Sequence, residues 1–166
     1  IGGQLPSELE ELLEITPYAT DELALILSQK HPLARLKGLT KEDLYRLDFV
    51  TLDSQSTTRK VVDQLLKNSG LEIGRIKIEM ELNSLEAIKN AVQSGLGAAF
   101  LPVVSIEREL LAGTVHKPII KDLEVKRELK LINNPGRYTS RAAIAFTKEI
   151  LPLFASQDSP LRHVSK

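Results

Sequence analysis

Cysteine is absent from the 166 residues, which excludes disulfides, thiolate metal sites and a cysteine nucleophile. An excess of charge of one sign is missing too, since 22 Lys+Arg stand against 22 Asp+Glu. No local run of Lys or Arg breaks that balance, so the chain lacks the electrostatic footprint needed to grip a nucleic-acid backbone or an anionic membrane. It has no apolar run long enough to span a bilayer and no basic-then-apolar leader at its start, so a cytoplasmic or plastid-stroma setting is expected, with no membrane partner. His31, His116 and His163 stand far apart without ligand spacing. Gly95-Leu96-Gly97 lacks the third glycine of a dinucleotide fingerprint and follows a helix rather than a strand, and no Walker-type lysine follows a glycine loop. With no nucleophile and base, no paired acids and no metal motif, the chain reads as a non-enzyme without metal or cofactor.

What is present is enough apolar residue, 42%, to build one ordinary domain or two small lobes. The most informative stretch begins at Ser84, which offers an N-cap oxygen to a helix whose apolar face carries Leu85, Ile88, Ala91 and Val92. Gly95 sits where a left-handed residue would end that helix, with Leu96 folding back onto it. Residues 98–102 then read as a short buried strand stopped by Pro102. Ahead of the cap, Ile76, Ile78, Met80 and Leu82 alternate with Lys77, Glu79 and Glu81, the pattern of a half-covered strand near a sheet edge. Strand, helix and strand with short links make a βαβ unit, and small ligands bind at the polar corner between such a strand and helix.

Elsewhere, residues 7–13 suggest a short acidic helix, and residues 13–18 look extended. The apolar run 23–27 suits a strand covered on both faces. Thr40 and Asp43 make a capping box with Asp in place of Glu, and a short helix through Leu44 and Leu47 follows. Residues 49–52 form a strand, and after a second polar corner a helix with Val61, Val62, Leu65 and Leu66 runs to Gly70. Ile106, Leu110 and Leu111 suggest a helix ending near Gly113. The extended stretch 115–120 is interrupted by Pro118, as suits a connection between lobes. Residues 129–132 form a strand and 133–136 a turn. Thr139 or Ser140 then caps a helix with Ala143, Phe146, Ile150 and Leu153 on its apolar face.

The two corners carry the chemistry. A helix amino end presents unpaired N–H groups and partial positive charge, so the hydroxyls of Ser56, Thr57 and Thr58 and the guanidinium of Arg59 suit a carboxylate or phosphate. Residue types alone leave open a plainer assignment, in which Ser56 or Thr57 only caps and Arg59 faces solvent. Ser84 is read as a cap, with the Asn83 amide beside it free to reach a ligand.

Residues 54–59 (Ser-Gln-Ser-Thr-Thr-Arg) and 81–100, from Glu81 through Asn83 and Ser84 to Phe100, resemble the effector-binding domain of LysR-type transcriptional regulators. The similarity is to the carbon-fixation branch, which controls Rubisco and inorganic-carbon-uptake genes in cyanobacteria, plastids and autotrophic bacteria. Residues 2–6 and 16–27 match the same branch in order and spacing, so the resemblance extends from residue 1 to about 154.

The resemblance implies an α/β, two-lobe effector domain with the type 2 periplasmic-binding-protein-like fold. Residues 1–20 and 118–166 would form a partial lobe I, and residues 21–117 a complete lobe II. It implies a small anionic metabolite as partner, held by Gln55, Ser56, Thr57, Thr58, Arg59, Asn83 and Ser84, with Phe100 and Pro102 on the following strand. By its own pattern Phe100 reads as core. Candidate effectors are 2-phosphoglycolate, 2-oxoglutarate, ribulose 1,5-bisphosphate and NADPH. The resemblance further implies a homodimer or tetramer, with Val62, Leu65 and Leu66 at a subunit interface because the helix is more apolar than a half-exposed helix needs. DNA would be bound only by an N-terminal winged helix-turn-helix outside these residues. The opening Ile1-Gly2-Gly3, without methionine, reads as the end of a strand and its turn, so the chain is expected to be a fragment with Phe146, Ile150 and Leu153 partly uncovered and weakened effector binding. The alternative is a transporter's solute-binding protein, which shares the two-lobe fold.

Overall fold

The computed structural model describes residues 12–150. In chain order the elements are β1 (Glu14–Ser28), α1 (Lys41–Leu44), β2 (Asp48–Leu52), α2 (Thr57–Asn68), β3 (Lys77–Leu82) and α3 (Leu85–Gln93). There follow β4 (Ala99–Pro102), α4 (Glu107–Leu111), β5 (Val115–His116), β6 (Lys126–Asn133) and α5 (Arg141–Ala145). Of these described helices, none is long and apolar enough to cross a membrane. The chain divides into two units, Glu22–Lys126 and the flanking segments that end at Asp21 and resume at Arg127.

The central unit is built around the apolar run of β1. Ala24 and Leu25 pair antiparallel with Leu101 and Phe100 of β4, and Leu27 pairs with His116 of β5. On the other side of β4 the backbone passes against β2, with the Val50 N–H donating to the Ala98 carbonyl and the Ala98 N–H to the Asp48 carbonyl, both at 2.8 Å. β2 in turn pairs parallel with β3. The strand order is therefore β3-β2-β4-β1-β5, and the expected βαβ unit from β3 through α3 to β4 steps over β2. Alternation along β1 sends Leu23, Leu25 and Leu27 to one face with Phe49, Val62 and Leu66. Ile26 lies on the other with Val50, Ile88, Val92 and Leu101. Both faces are covered, as a continuous apolar strand demands. β3 pairs only with β2 among the described residues, and Ile78 and Met80 are each 36% exposed, in keeping with an edge strand.

Gly97 makes the β2–β4 approach possible. A Cβ there would stand 2.7 Å from the Asp48 carbonyl oxygen and 2.9 Å from Val50 Cγ2. Gly95 does a different job, closing α3 with φ +80°. The Leu96 N–H donates to the Ala91 carbonyl at 3.0 Å and the Gly95 N–H to the Val92 carbonyl at 2.9 Å, the paired bonds of a Schellman ending. Leu96 itself does not fold back: it is 54% exposed, because the two backbone bonds suffice to end the helix. Leu111, read as part of an apolar face, is also turned out to solvent, since α4 is only five residues long and buries Ile106 before it. The Thr40–Asp43 box is present, the Asp43 carboxylate accepting from the Thr40 N–H at 2.8 Å and from its hydroxyl at 2.7 Å. These bonds hold the Asp43 pKa below its ordinary value.

α3 also buries a charge that its apolar pattern does not announce. Lys89 extends under the helix to the carboxylates of Glu86 at 2.7 Å and Glu109 at 2.9 Å, and so ties α3 to α4. Its side chain is 9% exposed and that of Glu109 16%. The Lys89 ammonium, and then the Glu109 backbone N–H, hold the Glu109 pKa below the usual carboxylate value.

In the flanking unit β1 pairs with β6. The Arg127 guanidinium grips the Asp21 carboxylate at 2.6 and 2.7 Å. Ser140 caps α5, its hydroxyl accepting from the Ala143 N–H at 3.1 Å, and the helix widens into one π turn at Phe146–Ile150. Phe146, expected to be partly uncovered, is 47% exposed. Leu153 and most of the expected acidic helix at 7–13 lie outside the described residues.

Two stability changes follow. Gly97→Ala should cost about 1–3 kcal/mol in urea unfolding through overpacking, whereas Gly74→Ala, with nothing within 4 Å of the added Cβ, should cost little; equal effects would contradict the close approach. Lys89→Met should cost about 3 kcal/mol near neutral pH by stranding Glu109. Because the folded pKa of Glu109 is depressed, its contribution is complete above the unfolded carboxylate value of about 4.3 and fades as pH falls through the lower folded one. Stability against pH should therefore slope less steeply in acid in Lys89→Met than in the parent.

Candidate effector site

β2 and β3 run parallel and finish level. Leu52 stands opposite Leu82, and the Asp53 N–H donates to the Leu82 carbonyl at 3.2 Å. The helices that follow therefore begin at the same end of the sheet, α2 packing on one of its faces and α3 on the other. Ser56 caps α2, its hydroxyl accepting from the Arg59 N–H at 3.5 Å, and Ser84 caps α3 by accepting from the Ala87 N–H at 3.4 Å. The loop into α2 is held by Asp53, whose carboxylate accepts from the Gln55 N–H at 2.9 Å and whose carbonyl accepts from the Ser56 N–H at 3.0 Å.

The structure thus brings Gln55, Ser56, Thr57, Thr58 and Arg59 together with Asn83 and Ser84. Gln55, Thr57 and Asn83 are exposed, and Ser56, Thr58 and Ser84 half-buried. β4 runs parallel to β2 where the two touch at Phe49 and Ala98, so Pro102 ends its strand toward the same end of the sheet. Pro102 is buried opposite Leu23. Phe100 stacks on Phe49 with ring centroids 6.0 Å apart and planes 2° from parallel, packing against the core beneath the corner.

The two helix starts differ in charge. α3 carries Glu86 in its first turn, while α2 has no acid there. A carboxylate at a helix start stabilises the helix but repels an incoming anion. Of the two, only the α2 start is free of first-turn acid. Arg59, however, does not stand free. Its Nε donates to both Asp63 carboxylate oxygens at 2.8 Å, and its NH1 to the Thr51 hydroxyl at 2.9 Å and the Leu52 carbonyl at 3.4 Å. Glu81 lies 3.6 Å away, and the Arg59 side chain is only 11% exposed. Thr51, Asp63 and Glu81 were not singled out by sequence reasoning. The i,i+4 spacing of Arg59 and Asp63 was a readable signal of their pairing, whereas Thr51 and Glu81 meet Arg59 only through the strand register.

Behind the corner an apolar pocket of ≈ 40 Å³ is bounded by Thr58, Arg59, Val62, Ile78 and Phe100 among others. It has room for one small group. A second hollow of ≈ 230 Å³ lies along Leu23, Leu25, Phe100, Lys117, Ile120 and Val125. Of the residues expected at a subunit interface, Val62 and Leu66 are 7% and 2% exposed within the core of their own unit; Leu65 is half-buried.

The comparisons with known proteins agree with this architecture. The family model of the LysR substrate binding domain matches residues 1–155. A probable RuBisCO transcriptional regulator of Nostoc sp. (strain PCC 7120) is 60% identical over 158 residues, covering 95% of this chain and 47% of that protein. Its counterpart in Porphyra purpurea is 56% identical over 156 residues, covering 94% and 49%. The chain spans about half the length of these relatives. Among solved structures, the Synechocystis PCC6803 CcmR regulatory domain in complex with 2-PG superimposes with a TM-score of 0.78 at 23% identity, covering 93% of this chain and 72% of that one. The effector binding domain of QuiR in complex with shikimate gives 0.73 at 21%, covering 91% and 68%. The matched relatives are named as transcriptional regulators and not as enzymes, and a transporter's binding protein is not favoured. With the α/β fold of those regulatory domains and a family match over nearly its whole length, the chain belongs to the LysR family, within its substrate-binding domain.

Proposed function

We propose that this chain senses a small anionic metabolite for a transcriptional regulator of carbon-assimilation genes, and that the anion is received at the amino end of α2. One observation carries the reading: β2 and β3 end level, so that the hydroxyls of residues 56–58 and the Thr57 backbone N–H gather at a helix start free of first-turn acid. Such a start supplies partial positive charge from the backbone itself, beside the exposed Lys60. Asn83, on the neighbouring corner, has a side-chain amide that can reach a ligand's uncharged end, and Phe100 and Pro102 shape the strand below.

Among the candidates 2-phosphoglycolate, 2-oxoglutarate, ribulose 1,5-bisphosphate and NADPH, the first has the most support, because the CcmR relative of similar fold holds 2-PG. Binding would shift the regulator between states by as much as the effector's affinities for them differ. The two units correspond, on this reading, to the two lobes of the family's effector domain. The complete regulator would act in the cytoplasm or plastid stroma as a homodimer or tetramer, binding DNA through a winged helix-turn-helix. Leu65 is the member of the expected interface set that keeps surface for a partner.

Titration calorimetry with 2-phosphoglycolate tests the assignment. Thr57→Val and Thr58→Val should each weaken binding by about 1.5–3 kcal/mol, the loss of a charge-assisted hydrogen bond, with the circular-dichroism spectrum unchanged. Unaltered affinity in both variants would rule out the corner.

A further inference from the structure

We infer that Arg59 is a positioning residue: it reads no charge on the effector but braces the first turn of α2 against the ends of β2 and β3, so that the neutral donors of residues 56–58 are held in place. The inference rests on the proposed binding of an anion at that corner.

The geometry commits the Nε and Nη1 sides of the guanidinium to the protein and leaves only the Nη2 amino group, on a side chain 11% exposed, to face a ligand. Its Nε is shared between both oxygens of Asp63, one turn along the same helix, and its NH1 reaches the Thr51 hydroxyl and Leu52 carbonyl on β2. The Thr51 hydroxyl in turn donates to the Leu52 carbonyl at 3.1 Å, which fixes its lone pairs toward Arg59. Glu81 on β3 completes the ring at 3.6 Å. One planar fork therefore touches three elements, α2, β2 and β3, at the place where the loop of residues 53–56 must turn. The positive charge is answered at short range by Asp63 and more distantly by Glu81, and the side chain is 11% exposed. An attraction on the effector carried by Arg59 would first have to outcompete a carboxylate already at 2.8 Å.

A lysine could keep the charge but not the fork. Arg59→Lys thus separates the two roles without altering the net charge of the corner. Thr51→Val removes one acceptor of the brace, again without a charge change.

The test is the affinity of the folded chain for 2-phosphoglycolate at several salt concentrations, well below the melting temperature, with the melting temperature recorded alongside. A positioning role predicts that Arg59→Lys and Thr51→Val each lose about five- to tenfold in affinity, with the salt dependence of the parent retained. Wild-type affinity in Arg59→Lys, joined to a large loss and a flatter salt dependence in Arg59→Met, would show that Arg59 meets the anion by charge and overturn the inference. A lowered melting temperature with unchanged affinity in both conservative variants would overturn it too, leaving only a contribution to stability. Failure of the parent to bind any of the four candidate metabolites would instead remove the proposed function on which the inference stands.

Discussion

Two parallel strands that stop at the same level dictate much of this molecule. Because Leu52 and Leu82 are partners, the chains leaving them turn at the same height, and α2 and α3 start at the same end of the sheet. That register depends on the sheet beyond it. β2 is held against β4 only where Gly97 lets two backbones approach closer than any side chain would allow. β4 is in turn held by the apolar half of β1. A change at Gly97, far in sequence from Ser56, therefore acts on the same corner.

Charge at that end of the sheet is mostly negative in its side chains. Asp53, Asp63, Glu81 and Glu86 stand there against Arg59, Lys60 and Lys89; Arg59 and Lys89 are engaged in ion pairs, and Lys60 is exposed. An anion at this place is then met by helix N–H groups and hydroxyls, whose reach is short, with the exposed Lys60 one turn further along α2. The chain as a whole carries no net charge, so no long-range field draws an anion toward it. Recognition by geometry at short range suits a sensor that must separate similar metabolites more than one that must capture them quickly.

Much of the fold was legible in the sequence, wherever a local rule acts alone. The apolar run 23–27, the Ser84 cap, the Gly95 ending and the Thr40–Asp43 box each follow from a few neighbouring residues, and each stands in the structure. The fold class followed from the resemblance, whose motifs coincide with the two corners. What was not legible depends on contacts between elements. Lys89 is polar by type, yet Glu109 on α4 draws it under cover. Leu96 and Leu111 look like core by type and lie in solvent, because short helices and tight endings leave no apolar surface for them to meet. Arg59 was readable as a cation at a helix start, but its engagement with Thr51 and Glu81 required the strand register, which one sequence does not state.

The most direct test of an anion site at the start of α2 is a two-dimensional ¹H–¹⁵N spectrum of the protein titrated with 2-phosphoglycolate. The account predicts that the largest amide shifts fall on Gln55, Ser56, Thr57 and Thr58, with smaller ones at Asn83 and Ser84. Shifts centred instead on residues 117–125, along the larger hollow, with the 55–58 amides unmoved, would contradict it.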